Sequence, residues 1–450
     1  MIVRLHCSSL LLVPLALSAA AMPTAAQVAG VVTRVSVSST GAEANGASTT
    51  NSLTPMSISA DGRFVSFNSG ATNLVDGDTN GIPDVFVRDL LLGTTERVSV
   101  SSAGQQGSGG GTNATLGSYG SALSADGRYV AFYSYSPNLV AGDTGGWVDV
   151  FVRDRVSGAT ERVSVSSSNG SPNGASQYPS LSADGRYVVF QSAGTNLVSG
   201  DKNNQTDLFV RDRVARTTRR VSVSSTGKEG NGASAAGMGN QAISADGRYV
   251  VFQSLATNLV TGDTNGQMDI FLRDLWSNVT ERVSVTATGG QADGYSAHAS
   301  ISADGRYVVF SSAAPNLAPA GAPAGVLQVY VRDRQLGTTV CASVSDLGQA
   351  GDRSTFSHAA ISGDGRFVTF QSGATNFVPG ATTSGYNVFV RDLALGMTTC
   401  PTAWSGGWGL GTGFPDVAID GDGSAIVFSS AGTNLVAGDS NGVTDVFLLQ

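Results

Sequence analysis

The chain has 450 residues, a formal net charge of −8, and a bias of 24 Arg over 2 Lys and 29 Asp over 5 Glu. That acidic balance argues against nucleic acid as a partner and makes divalent cations the natural counter-charge. Three cysteines rule out a dense disulfide framework, and abundant Gly, Ser, Thr and Val point to strands and turns.

The chain begins with Arg4, an apolar stretch from Leu10 to Ala21, then Pro23 and the small residues Thr24, Ala25 and Ala26. This is the order of a secretory signal, so residues 1–26 are expected to be removed and the remainder exported, to the periplasm or outside the cell. The run is too short to persist as a membrane span, and no comparable run follows. Cys7 precedes it, whereas a lipoprotein cysteine follows its apolar run, so no lipid anchor is expected.

From residue 27 onward the sequence repeats. SADGR or a close variant recurs with its Asp at 61, 126, 184, 246, 304, 364 and 422, at intervals of 58 to 65 residues. A period of this size means one supersecondary unit that buries its apolar faces only against its neighbours. The third unit, Tyr178 to Ser225, is the clearest. Strand A ends at Leu181, Asp184-Gly185 makes a tight turn, strand B is Tyr187 to Gln191, strand C is Asp207 to Arg211 and strand D is Arg220 to Ser224. Seven such units predict an all-β fold: one seven-bladed β-propeller over 27–450, four antiparallel strands per blade, with no second domain. The last unit stops at Val446-Phe447-Leu448 without a strand D, and Val32 to Ser39 matches the D strands at Arg97, Arg162, Arg220 and Arg282. The first strand is therefore expected to complete the seventh blade and remove its open edge.

The segments SADGRYVVF, DVFVRD and TTERVSVSS resemble the WD40-like (PD40-type) repeats of bacterial TolB-like propellers, and the resemblance covers all seven units. It implies a platform for protein contacts without naming the bound molecule. TolB-type propellers usually have six blades and a Pro before the Asp-Gly, where this chain has Ala or Gly.

Alternating strand direction puts the A–B and C–D turns on one face and the B–C and D–A connections on the other. On the first face, Asp61 with Arg63 and Arg88 with Asp89 typify pairs that recur almost unchanged and read as structural caps. On the second, three B–C loops read Asp-x-Asn-Gly-x-x-Asp: Asp78, Asn80 and Asp84; Asp263, Asn265 and Asp269; Asp439, Asn441 and Asp445, with Asp76 added in the first. Oxygen donors around a glycine turn suit Ca2+, although the bidentate Glu of an EF-hand loop is missing; alternatively, Asp and Asn simply cap the turn. Units two and three keep Asp143 with Asp149 and Asp201 with Asp207, whereas units five and six substitute PAGAPAGVLQ and PGATTSGYN. The D–A connections Thr40 to Thr54, Ala103 to Tyr119 and Thr402 to Gly413 vary most. With Trp147, Trp404 and Trp408 they make this the face expected to bind a protein or glycan.

His298 and His358 stand six residues before the turn Asp of units five and six, and Asp416 takes that place in unit seven. Brought together at the mouth of a central channel they would be ligands for zinc, manganese or iron; otherwise they are solvated loop residues. Seven-bladed oligogalacturonate lyases, another propeller resemblance, hold a divalent metal with His ligands in the channel, though their full ligand pattern is not reproduced here. No G-x-S-x-G, H-E-x-x-H or P-loop motif occurs. Cys341 and Cys400 fall one position apart when units are aligned on the turn Asp, which permits a disulfide by parity; diverging outer strands favour two thiols. The sequence thus points to an exported binding or scaffold propeller with Ca2+ as a candidate loop ion. The rival is a metal-dependent polysaccharide lyase or hydrolase.

Overall fold

The computed structural model describes residues 30–49, 56–110, 116–236, 241–379, 385–402 and 416–450, and of Phe356 and Ser357 the backbone alone. The signal segment 1–26, Trp404 and Trp408 lie outside the described residues. Seven four-stranded antiparallel sheets form the seven blades, six of them from consecutive strands. The seventh joins Val32–Arg34 to the three C-terminal strands, pairing Val32 with Leu449 and Arg34 with Phe447.

The strands are apolar on both faces because each blade is packed between two others. In blade 3, strand B (Tyr187–Ser192) buries Val188, Val189 and Phe190, and strand C (Asp207–Asp212) buries Leu208, Phe209 and Val210. Each blade stacks one ring of strand B on one of strand C, with centroids 5.7 to 6.0 Å apart, as Phe190 on Phe209. Each such buried ring contributes roughly 2–3 kcal/mol, so the blade interiors hold the disc together.

Strands A, B and C lie where the sequence puts them; strand D does not. The ladder of blade 3 runs over Thr217–Arg220 and ends where the sequence reading begins it. After Arg220 the Ser222 hydroxyl takes the Leu208 N–H at 3.1 Å, and the Val223 N–H bends back to Val221 at 2.7 Å. The rest of VSVSS is a strap onto the next blade: Thr280 donates its N–H to Ser225 Oγ at 2.9 Å and its hydroxyl to the Val223 carbonyl at 2.6 Å.

The turn face is built as the repeat implies. Asp184 accepts from Ser182 Oγ and the Arg186 N–H, and Arg186 grips Asp212 through Nε at 3.0 Å and Nη2 at 2.7 Å. Gly185 is required twice over: its φ is +68°, and a Cβ there would lie 2.4 Å from the Tyr129 ring of the preceding blade. One residue before the turn Asp, a ring of interblade hydrogen bonds encircles the channel. Ala60 donates to Ala125 (3.0 Å), Ala125 to Ala183 (2.9 Å), Ala183 to Ala245 (3.0 Å), Ala245 to Ala303 (2.9 Å) and Ala303 to Gly363 (3.0 Å). Asp364 then donates to Gly421 (2.9 Å) and Gly421 to Ala60 (3.1 Å), closing the circle. A Pro has no N–H to give, which explains Ala and Gly here. Ile58, Leu123, Leu181, Ile243, Ile301 and Ile419 line this part of the channel, a space of about 130 Å³.

The cysteines correct the parity argument. Cys341 lies opposite Tyr330, and Cys400 follows Thr399, which pairs with Val390, so both occupy the same strand-D position. The offset arises because the loop between Ser312 and Gln328 is one residue longer than that between Ser372 and Asn387. Neither forms a disulfide, and burial pushes the Cys341 thiol up to about 11.

Candidate functional site

In the acidic loops the carboxylates have a counter-ion from the chain itself. Arg97 of strand D places Nη1 3.0 Å from Asp78 and 3.4 Å from Asp84, whose side chains are 2 % and 0 % exposed. Asp84 also accepts from Ser99 Oγ at 2.5 Å and from Asn80 Nδ2 at 2.9 Å. The unit recurs with Arg162 between Asp143 and Asp149, Arg220 between Asp201 and Asp207, Arg282 between Asp263 and Asp269, and Arg34 beside Asp439 and Asp445. Asn265 and Asn441 donate to Asp269 and Asp445 as Asn80 does to Asp84, and Asp76 stays exposed. Burial pushes Asp84 and Asp269 above the usual carboxylate range, partly offset by these donors.

Sequence reasoning missed this arginine although the repeat contained the signal. In blades 5 and 6 the strand-C Asp becomes Gln328 and Asn387, and the Arg becomes Cys341 and Cys400. Acid and base are lost together, as a charge-balanced unit requires.

The channel mouth is different, because its residues break the repeat. His298 lies at a bulge in Ser296–Ile301, where pairing slips between Ala297 and Ser300, with φ +57°. Tyr178 (φ +53°) and Gly120 sit at the same bulge in blades 3 and 2. A non-Gly residue held there costs about 1 kcal/mol or more. The His298 N–H donates to Gln253 Oε1 of the preceding blade at 3.0 Å, so a polar strand-B side chain supports the next bulge.

His358 stands edge-on to His298, ring centroids 5.0 Å apart, and its Nδ1 lies 3.2 Å from Asp416 Oδ1. The two blades and the seventh thus bring all three predicted residues together. His358 and Asp416 are each 5 % exposed. Burial, reinforced by His358, brings the His298 pKa down to about 3, which keeps that imidazole neutral. Among the described residues no hydrogen-bond partner meets either nitrogen of His358, His298 Nδ1, or the amide of Gln371 on strand B of blade 6. Beside His358 and Asp416 is a cavity of about 20 Å³, also lined by Gln241 and Ser300, with room for one water-sized group. An orphaned buried group costs about 1–3 kcal/mol, so unpaired imidazole nitrogens beside a cavity make this a candidate place for a further hydrogen-bonding group.

As ion ligands the three are poorly disposed. Asp416 Oδ1 already accepts from the Val417 N–H at 3.1 Å and faces His358, while Oδ2 accepts from the Met56 N–H at 3.1 Å. Among the described residues no three His, Cys, Asp or Glu side chains are grouped to hold a metal.

Across the channel the repeat is broken by aromatics. Tyr133 meets Tyr119 at 5.8 Å and Tyr178 at 5.5 Å, and Tyr119 meets Tyr135 edge-on at 6.5 Å. Trp147, on a B–C loop, is 49 % exposed. The polar position in strand B that carries Gln253, Gln371 and Tyr133 is visible in the sequence as the residue after each YVVF-type run.

No family model matches the chain, and no curated protein does. Among the described residues no helix is long and apolar enough to cross a membrane. Solved structures similar to it include TolB proteins and other propellers. TolB from Acinetobacter baumannii is 15 % identical over 70 % of this chain with a TM-score of 0.37, and the chain spans 58 % of its length. An oligogalacturonate lyase from Vibrio parahaemolyticus is 12 % identical over 93 % of each chain with a TM-score of 0.54. An oligogalacturonate lyase in complex with manganese is 13 % identical, covers 94 % of this chain and 93 % of its own, and also scores 0.54. At such identities the likeness to the lyases is one of fold: the chain is a β-propeller.

Proposed function

We propose that this chain is an exported binding propeller whose ligand, a protein or a glycan, engages the B–C and D–A face over the channel mouth at blades 5 to 7. The observation that carries it is the buried His358–Asp416 pair beside a small cavity, with the His298 ring edge-on to His358, a set of side chains that no other unit of the repeat carries. Elsewhere a position shared by all units has a repeated structural task; here the units depart from one another at a buried site beside a cavity. The order of Arg4, Leu10 to Ala21 and the small residues after Pro23 supports export. The acidic loops, with guanidinium counter-ions, need no calcium in this reading.

The test compares immobilised wild type with His358→Ala against one panel of soluble oligosaccharides and one of exported bacterial proteins. Retention by wild type and loss in a His358→Ala variant of unchanged melting temperature supports the proposal. Ligand held equally by both overturns it. Manganese- or zinc-dependent cleavage of a polysaccharide that needs His298 and His358 would replace it by a metal-dependent lyase or hydrolase.

A further inference from the structure

Three blade seams carry the same clamp on the A–B and C–D face. Arg155, Arg213 and Arg334, each following the last Asp of strand C, lie 4.4, 4.4 and 4.3 Å over the rings of Phe64, Tyr129 and Tyr249 in the preceding blade. Each donates Nη1 to the turn-glycine carbonyl of its own blade, Gly127, Gly185 or Gly305, at 2.5 to 2.6 Å. Each also pairs through Nε with a strand-D glutamate, Glu96, Glu161 or Glu281. The aromatic ring is thereby sandwiched, since Arg63, Arg128 and Arg248 cover its other side at 4.6 to 4.8 Å.

Among the described residues the other four seams lack this clamp, and the seam of blades 5 and 6 is one of them. Leu393 stands in the arginine position and Val340 in the glutamate position, pairing with Val331 as Glu96 pairs with Val87. Tyr307 keeps one cation, Arg306 at 4.7 Å, and its other surroundings open into a groove of about 360 Å³. Val340, Leu393, Asp364 and Gly365 share the lining with Asp333 and Arg366, whose charges are already paired with Arg306 and Asp392. Among the described residues no donor reaches the Gly365 carbonyl, the counterpart of the three that accept from arginine. The seam of blades 3 and 4 also has Leu275 for Arg, but there Arg219 reaches over it to the Leu275 carbonyl at 3.4 Å and leaves it 6 % exposed. Val340 is too short to do so and is itself 52 % exposed.

We propose that this groove binds an arginine side chain presented by a partner polypeptide, completing in trans the clamp that three other seams complete in cis. The occupant is specified by what remains of the molecule's own template, an aromatic face and a carbonyl acceptor, with the turn carboxylate of Asp364 in the lining where the template has a strand-D glutamate, in a protein of net charge −8. The site lies on the opposite face from the channel mouth, so it stands or falls independently of the ligand proposed there.

The experiment is a methyl NMR titration of the full chain with acetyl-Gly-Arg-Gly-amide and with the same peptide carrying citrulline, which has the shape without the charge. The expected result is saturable shifts of the Val340 and Leu393 methyls, with the citrulline peptide at least tenfold weaker. The double variant Val340→Glu with Leu393→Arg, which rebuilds the clamp in cis, is expected to melt no lower than wild type and to lose the shifts. Val340→Lys, a change at an exposed position, is expected to weaken binding at least tenfold and serves should the double variant not fold. Equal binding of the two peptides, undiminished binding by the variants, or no saturable shift up to about 10 mM peptide overturns the proposal.

Discussion

Arg97 shares one buried site with Asp78 and Asp84, and its replacement tests whether the acidic loops are charge-balanced units. Arg97→Cys alone is expected to cost about 3–5 kcal/mol, because it leaves two buried carboxylates unpaired. Adding Asp84→Asn and Asp78→Ala, after the pattern of Asn387 and Cys400 in blade 6, is expected to bring stability back to within about 1 kcal/mol of wild type in urea denaturation. On the same account, EDTA and added calcium are expected to leave the melting temperature unchanged; a rise with calcium lost in Asp78→Ala would make the loops ion sites. His298 gives a pH dependence of known sign. Its pKa falls from 6.5 to about 3 on folding, so the unfolded chain binds the proton first and stability declines as pH drops below about 6.5. His298→Asn is expected to flatten that decline, which urea midpoints at pH 7 and pH 4.5 would show. The Arg63 guanidinium holds Asp89 below the usual carboxylate range, and that contribution persists until pH falls through the depressed value.

At the scale of elements, the A–B turn does four things with four residues. Asp184 closes the turn, Gly185 seats it against the Tyr129 ring of the neighbouring blade, and Arg186 ties it to strand C, while Ala183 just before gives its N–H to the ring around the channel. Ala183→Pro removes that donor and leaves the Ala245 carbonyl unpaired, an expected loss of about 1–3 kcal/mol measurable as a lower denaturation midpoint. Strands A, B and C were legible because alternation, the Asp-Gly pair and the DVFVRD run each have a local cause. Strand D was misread: VSVSS has strand propensity, yet Ser222 replaces a ladder bond with its hydroxyl and Ser225 bonds Thr280 in the next blade. Local sequence could not distinguish a strand from a strap, since both are extended.

At the scale of the molecule, closure depends on three residues, Val32–Arg34, pairing with the last strand and on the strap that follows, where Ser39 Oγ accepts the Thr95 N–H at 2.9 Å. A chain lacking residues up to 39 is expected to expose the edge of its C-terminal strand, melt at least about 5 °C lower and associate on concentration, as calorimetry and light scattering would record. The blade number, the four-strand unit and the N-terminal closing strand follow from the sequence alone. The repeat makes each unit's apolar pattern legible seven times over, and the lone N-terminal strand and the three-stranded C-terminal unit complete each other. The sequence also located His298, His358 and Asp416 at one level of neighbouring inner strands. Only the tertiary structure decided what surrounds them: that Asp416 faces His358 instead of an open ligand position, that Arg97 neutralises the loop carboxylates, and that the seam of blades 5 and 6 opens into a groove where three others hold an arginine. These facts depend on distances between side chains of different units, and a repeat fixes which residues are equivalent but not which of them touch.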